Sequence, residues 1–148
     1  MSKTIKKTPK RGEMRSINNT SIPRRGEIWL VDYNYKPKKG KERDLEIESY
    51  IKKIRPSVVV SNDAQNEYDE EIIVVPLSSR GLEIIRPHEL LIKKNKENGL
   101  DDDSKILFNR LRNVEKDTRL GDERVGVVSK EIMLKVKEKL KLVLDLED

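Results

Sequence analysis

Apolar runs in this chain are short. Ile28-Trp29-Leu30-Val31, Val58-Val59-Val60 and Ile72-Ile73-Val74-Val75 are rich in β-branched residues, and each is cut off by proline, a polar residue or a charge. Runs of that length and composition fill a strand and fall short of a core helix. Strands are expected over 26–33 and near 57–61, 71–77, 88–93, 105–114 and 124–128, with Asn98-Gly99 and Leu120-Gly121-Asp122 as turn punctuation. The period changes at Ser129, a good N-cap with Glu131 in the first turn. From there Ile132, Met133, Val136, Leu140, Val143 and Leu144 recur at helical spacing opposite a face of lysines. The pattern predicts a mainly β fold with some α, a small, strongly bent barrel of short antiparallel strands covered by a C-terminal amphipathic helix.

A chain of 148 residues supports one domain with a modest core. The absence of cysteine excludes disulfides and thiolate-bound metals, and a single histidine excludes a multi-histidine metal site within one chain. No metal or other cofactor is expected. Nothing in the sequence has the roughly 20 apolar residues of a membrane span, and no hydrophobic signal core opens it, so a soluble, cytoplasmic protein is expected. The net charge of +5 suggests nucleic acid until it is located: residues 1–22 carry six Lys or Arg against Glu13, which accounts for all of it. Residues 1–22 are read as a basic, disordered tail and 23–148 as the folded domain, whose phosphate affinity must come from local clustering of charge.

Two strand ends supply such a cluster. Ile54-Arg55-Pro56 precedes the run that ends in Ser61-Asn62-Asp63, and Val75-Pro76-Leu77 ends in Ser78-Ser79-Arg80. A guanidinium stays charged and offers a rigid fork of donors that matches phosphate oxygens, so two arginines with hydroxyls at strand ends make a candidate phosphodiester site. Each residue also has a plainer reading. Arg55 could form a surface ion pair, Ser78 could close a turn, and Asn62 with Asp63 could form an Asx-type turn rather than touch RNA. Trp29 and Tyr33 could stack bases, although Trp29 sits among apolar neighbours that suit a core. His88 has the unperturbed pKa for proton transfer but follows Pro87 at a strand start, where structural histidines are common. Asp101-Asp102-Asp103 lacks the alternating ligand spacing of a calcium loop and is read as a solvated loop.

Taken in order, the Arg-Gly-Glu-Ile-Trp-Leu-Val-Asp opening, the Arg-Pro-x-Val-Val-Val-x-Asn-Asp strand, the Val-Pro-Leu-Ser-Ser strand end, the Leu-Arg-Asn strand and the closing helix resemble the MazF/PemK family of toxin endoribonucleases over residues 24–146. The resemblance implies an SH3-like barrel, a homodimer, and cleavage of single-stranded RNA without a metal. It also implies an antitoxin protein that lies over the active groove. On the matching positions Arg55 and Ser78 would be the catalytic pair, and Asn109 and Arg110 would lie in the RNA groove; Ser79, Arg80 and Asn62, at the same strand ends, are further candidate substrate contacts. Ser78 stands where the family usually has threonine, and Asn109-Arg110 where it usually has an acidic residue and glutamine. Residues 34–53 form a longer, more charged loop than the family pattern, with a short helix expected from about Glu42. Two other functions fit the same architecture: a non-cleaving inhibitory toxin of the gyrase-poison type, and a non-catalytic RNA-binding module that works through its basic tail.

Cleavage by the adjacent 2′-OH needs a proton acceptor, a proton donor for the departing 5′-oxygen and positive donors at the phosphoryl oxygens. Arg55 suits the last role, since a pKa above about 12 makes it a poor base. Ser78 suits hydrogen bonding to the phosphate or the attacking hydroxyl.

Overall fold

A computed structural model describes residues 21–33 and 54–147. The insertion at 34–53, with its expected helix near Glu42, and residues 1–20 of the tail lie outside the described residues. The first strand, β1 (Glu27–Asp32), leaves a turn in which Gly26 takes a φ of 92°. It pairs antiparallel with β2 (Ile54–Val59), Val31 opposite Arg55, and β2 pairs with β3 (Glu71–Ser78), Ser57 opposite Pro76. Between β2 and β3 lies a helix not expected from the sequence, α1 (Asp63–Tyr68). The Asn62 side chain accepts the N–H of Gln65, so Asn62 caps a helix where an isolated Asx turn was expected. Both readings use the same side-chain acceptor, and six following residues without proline or glycine let the first turn continue.

The far edge of β3 is shared between two partners. Its first half pairs with β6 (Arg112–Glu115) and its end with β5 (Ser104–Leu107), which in turn pairs with β4 (Glu89–Ile92). Ile73 gives its carbonyl to the Val60 N–H, so alternate residues Val74 and Pro76 turn their main-chain groups to that far edge. Pro76 therefore meets the gap between the Val74↔Arg112 and Leu77↔Ile106 pairs, where a residue without an N–H loses no ladder bond. The single strand expected over 105–114 is thus two strands. They are split by a 3-10 turn at Phe108–Arg110 that carries the Phe108 ring into the core, 1% exposed. A helical turn, α2 (Lys116–Arg119), follows β6. The strand expected over 124–128 is reduced to β7 (Gly126–Val127) on the outer side of β1.

The sheet order is β4-β5-β3-β2-β1-β7, and it curls into a half-barrel in which the β4–β5 connection reaches β7. The Val127 N–H donates to the Glu97 carbonyl at 2.8 Å. Asn98 braces this connection, accepting from the N–H groups of Asn95 and Leu100 and donating to the Lys93 carbonyl. A Cβ on Gly126 would lie 2.3 Å from the Asn98 carbonyl, so only glycine allows the approach.

Alternation along the central strands loads both faces. Ile28, Val58, Val75 and Leu77 join Ile106 and Phe108 in one cluster. Trp29, Val31, Tyr33, Val59 and Val74 join Val114 and Leu120 in the other. The helix α3 (Lys130–Leu144), capped by Ser129, closes the first cluster through Ile132, Met133, Val136, Leu140 and Val143. Leu144, expected on that face, is 51% exposed, since one further residue rotates the side chain about 100° past Val143. Among the described residues no helix is long and apolar enough to cross a membrane.

Candidate active site

Arg55 reaches the site because it is the second residue of β2, at the end where that strand begins, and Ser78 because it is the last residue of the antiparallel β3. Strand direction brings these two ends to the same side of the sheet. The side chains line two adjoining cavities. The larger, about 580 Å³, is bordered by Arg55, Ser78, Ser79, Arg80, Asp101 and Asp102. The smaller, about 230 Å³, is bordered by Tyr33, Arg55, Ser78, Leu107, Arg110 and Arg112. Arg55 and Ser78 are the polar side chains common to both.

The main chain fixes the serine. Ser78 Oγ accepts the N–H of Arg80 at 3.2 Å, which closes the turn at the strand end. That bond uses an oxygen lone pair and not the hydroxyl hydrogen, so turn closure and donation to a phosphate oxygen are compatible. Of the other candidate contacts, Ser79 and Arg80 line the larger cavity and Arg110 the smaller. Asn109, exposed in the 3-10 turn, lines neither cavity, and Asn62 is at the far end of β2 as the cap of α1. His88, half-buried with Nε2 3.8 Å from Glu89 Oε2, also lies outside both. Trp29 is core, 1% exposed, its indole N–H donated to Glu27 at 3.0 Å. Asp101 and Asp102 are exposed, as expected of a solvated loop, and they also border the larger cavity. The same cavity is bordered by Arg55 and Arg80. Among the described residues no three His, Cys, Asp or Glu side chains come together to hold a metal ion.

Lys105, Glu89 and Arg112 were not singled out in the sequence, and Tyr33 was, as a possible base-stacking residue. Lys105 pairs with Ser78 across β5 and is buried, its Nζ bonded to the carbonyls of Gly81 and Ile84 and to Glu89 Oε1 at 3.0 Å. It pins the connection that follows Ser78. Burial of Glu89 raises the pKa of its carboxyl, but the Arg86 N–H, the hydrogen bond and charge of Lys105 and the charge of His88 outweigh this and hold it below the usual value. Tyr33, 6% exposed, shares a 2.7 Å hydrogen bond with Ser57 Oγ, and Arg112 Cζ lies 5.4 Å from its ring centroid. Burial pushes the phenol up to about 12, against the Ser57 hydrogen bond and the charges of Arg112 and Arg55. The one sequence signal for Arg112 was its spacing, two residues after Arg110 in a region read as strand.

Residues 24–144 match the family model described as the PemK-like, MazF-like toxin of type II toxin-antitoxin systems. A comparison with curated proteins returns no match. Similar solved structures include an endoribonuclease from a mycobacterial species in complex with its cognate antitoxin, 21% identical with a TM-score of 0.63, covering 85% of this chain and 98% of that one. An endoribonuclease from a mycobacterial species is 20% identical, with a TM-score of 0.62 over 86% and 96% of the two chains. MazF from Deinococcus radiodurans is 17% identical, with a TM-score of 0.63 over 84% and 98%. Likeness at these identities establishes the shared fold.

Proposed function

This chain belongs to the PemK-like, MazF-like toxins of type II toxin-antitoxin systems, and from that premise we propose that it is an endoribonuclease that cuts single-stranded RNA in the cytoplasm without a metal. The observation that carries the reading is the shared position of Arg55 and Ser78, between a cavity on either side. A chain threaded through both cavities would cross this pair once, at one phosphate.

In the proposed reaction the 2′-oxygen attacks the adjacent phosphorus as its proton passes to a solvent water. The bond to the 5′-oxygen breaks, solvent returns a proton to that departing oxygen, and the products are a 2′,3′-cyclic phosphate and a 5′-hydroxyl. Arg55 neutralises the charge that builds on the phosphoryl oxygens, and Ser78 donates a hydrogen bond to the same group. Ser79 and Arg80 hold the strand on one side and Arg110 on the other. The active form is a homodimer whose groove runs from one protomer to its partner. The antitoxin, acidic and partly apolar, competes with RNA for the Arg55 and Arg110 surface.

The test is incubation of the purified protein with mixed-sequence RNA in EDTA, followed by mapping of the ends. Cuts that leave 2′,3′-cyclic phosphates are expected. Complete dependence on added Mg²⁺, or intact RNA, would refute the reading.

A further inference from the structure

The smaller cavity differs in chemistry from the larger. Arg55, Arg110 and Arg112 line it and no carboxylate does, whereas Asp101 and Asp102 line the larger one. At about 230 Å³ it is below the size of a drug-like ligand site, on the scale of one nucleotide unit. One wall is built in an unusual way. Arg112, exposed on β6, is set over the ring of Tyr33, and that ring is buried and held at its hydroxyl by Ser57. Ser57 Oγ also contacts the Arg55 carbonyl at 3.3 Å, so the ring, the guanidinium above it and the main chain of Arg55 are tied together. A planar cation supported from beneath by a fixed aromatic ring is a preorganised surface for a nucleobase, because guanidinium planes stack on bases and the supporting ring limits the freedom lost on binding.

We propose that Arg112, supported by Tyr33, is the stacking plate for the base of the nucleotide on one side of the cut phosphate. This rests on the nuclease reading and adds to it a residue that acts through the base and not through the phosphate. The plate tolerates any base, since each has a π face, so it sets affinity and register more than sequence preference.

The test uses an RNA oligonucleotide spanning a mapped cut site, made uncleavable by a single 2′-deoxyribose at the attacking position, together with versions lacking one base at each flanking position. For the wild-type protein, removal of one particular flanking base is expected to weaken binding about tenfold. Arg112→Ala should bind the intact oligonucleotide about tenfold more weakly and lose no further affinity when that base is removed. Arg112→Lys should preserve the salt dependence of binding, which follows charge, while remaining insensitive to the missing base. Arg112→Lys that matches wild type in base dependence would overturn the stacking role. So would an Arg112→Ala loss that adds fully to the loss from base removal. A protein that cuts RNA normally yet gives either result would refute this assignment alone, whereas a protein that neither cuts nor binds RNA would refute the nuclease reading and the plate with it.

Discussion

Ser78 Oγ accepts the main-chain N–H of Arg80 at 3.2 Å, so the hydroxyl beside Arg55 is held by the same turn that turns the chain out of β3. Ser78→Ala is therefore expected to lower the cleavage rate roughly tenfold to a hundredfold, through loss of one donor and a looser turn. Arg55→Ala should lower it at least about 100-fold, the scale of a lost preorganised donor at a developing oxyanion. Single-turnover rates on one RNA check both, with Ser79→Ala as the control. A larger effect at Ser79 than at Ser78 would move the site by one residue.

Lys105→Met should destabilise the fold by about 3 kcal/mol at neutral pH, because it leaves the buried Glu89 carboxylate without its cation. In the wild-type protein the lowered pKa of Glu89 adds stability that is present above the unfolded value of 4.5 and lost as pH falls through the folded one. In the variant the hydrogen bond and charge of Lys105 are gone while the Arg86 N–H remains, so the Glu89 pKa lies above its wild-type position and less stability is gained as pH rises. The gap between the two proteins, measured by urea unfolding, should narrow as pH falls below 4.5.

Tyr33→Phe removes the hydrogen bond to Ser57 and should cost about 1 kcal/mol near neutral pH. The sign reverses in alkali. With its pKa raised from 10.0 to about 12, Tyr33 contributes stability that is complete below pH 10.0 and lost as pH rises toward about 12. That loss reaches about 2 kcal/mol, which phenylalanine does not suffer. Urea unfolding of the two proteins on either side of this window should show the variant less stable below it and more stable at its upper end.

Gly126→Ala should cost about 3 kcal/mol, because the new methyl would meet the main chain of Asn98 at 2.3 Å and part the β4–β5 connection from β7. Gly81→Ala makes the contrast. Its φ of 66° carries left-handed strain of about 1 kcal/mol, but the nearest atom to the added carbon is Lys105 Nζ at 3.5 Å, an ordinary contact that blocks nothing. Thermal unfolding of both variants distinguishes blocked space from backbone strain.

The sequence by itself determined the first strands and the closing helix. β-branched runs between turn residues mark β1 to β3, and Ser129 with the following helical period marks α3, because period and capping are local properties of the chain. It also determined that Arg55 and Ser78 stand at strand ends, since proline and serine sit at fixed steps from the apolar runs. Tertiary structure decided the rest. Whether Asn62 ended in a turn or started α1 depended on what the next residues could pack against, and Asn66 there is fully buried. The split between β5 and β6 followed from the two partners along one edge of β3 and the burial of Phe108, which no local pattern encodes. The meeting of Tyr33, Ser57 and Arg112 likewise depends on pairing across β1, β2, β3 and β6. Contacts between distant segments follow from how the sheet curls, and the curl is a property of the packed whole.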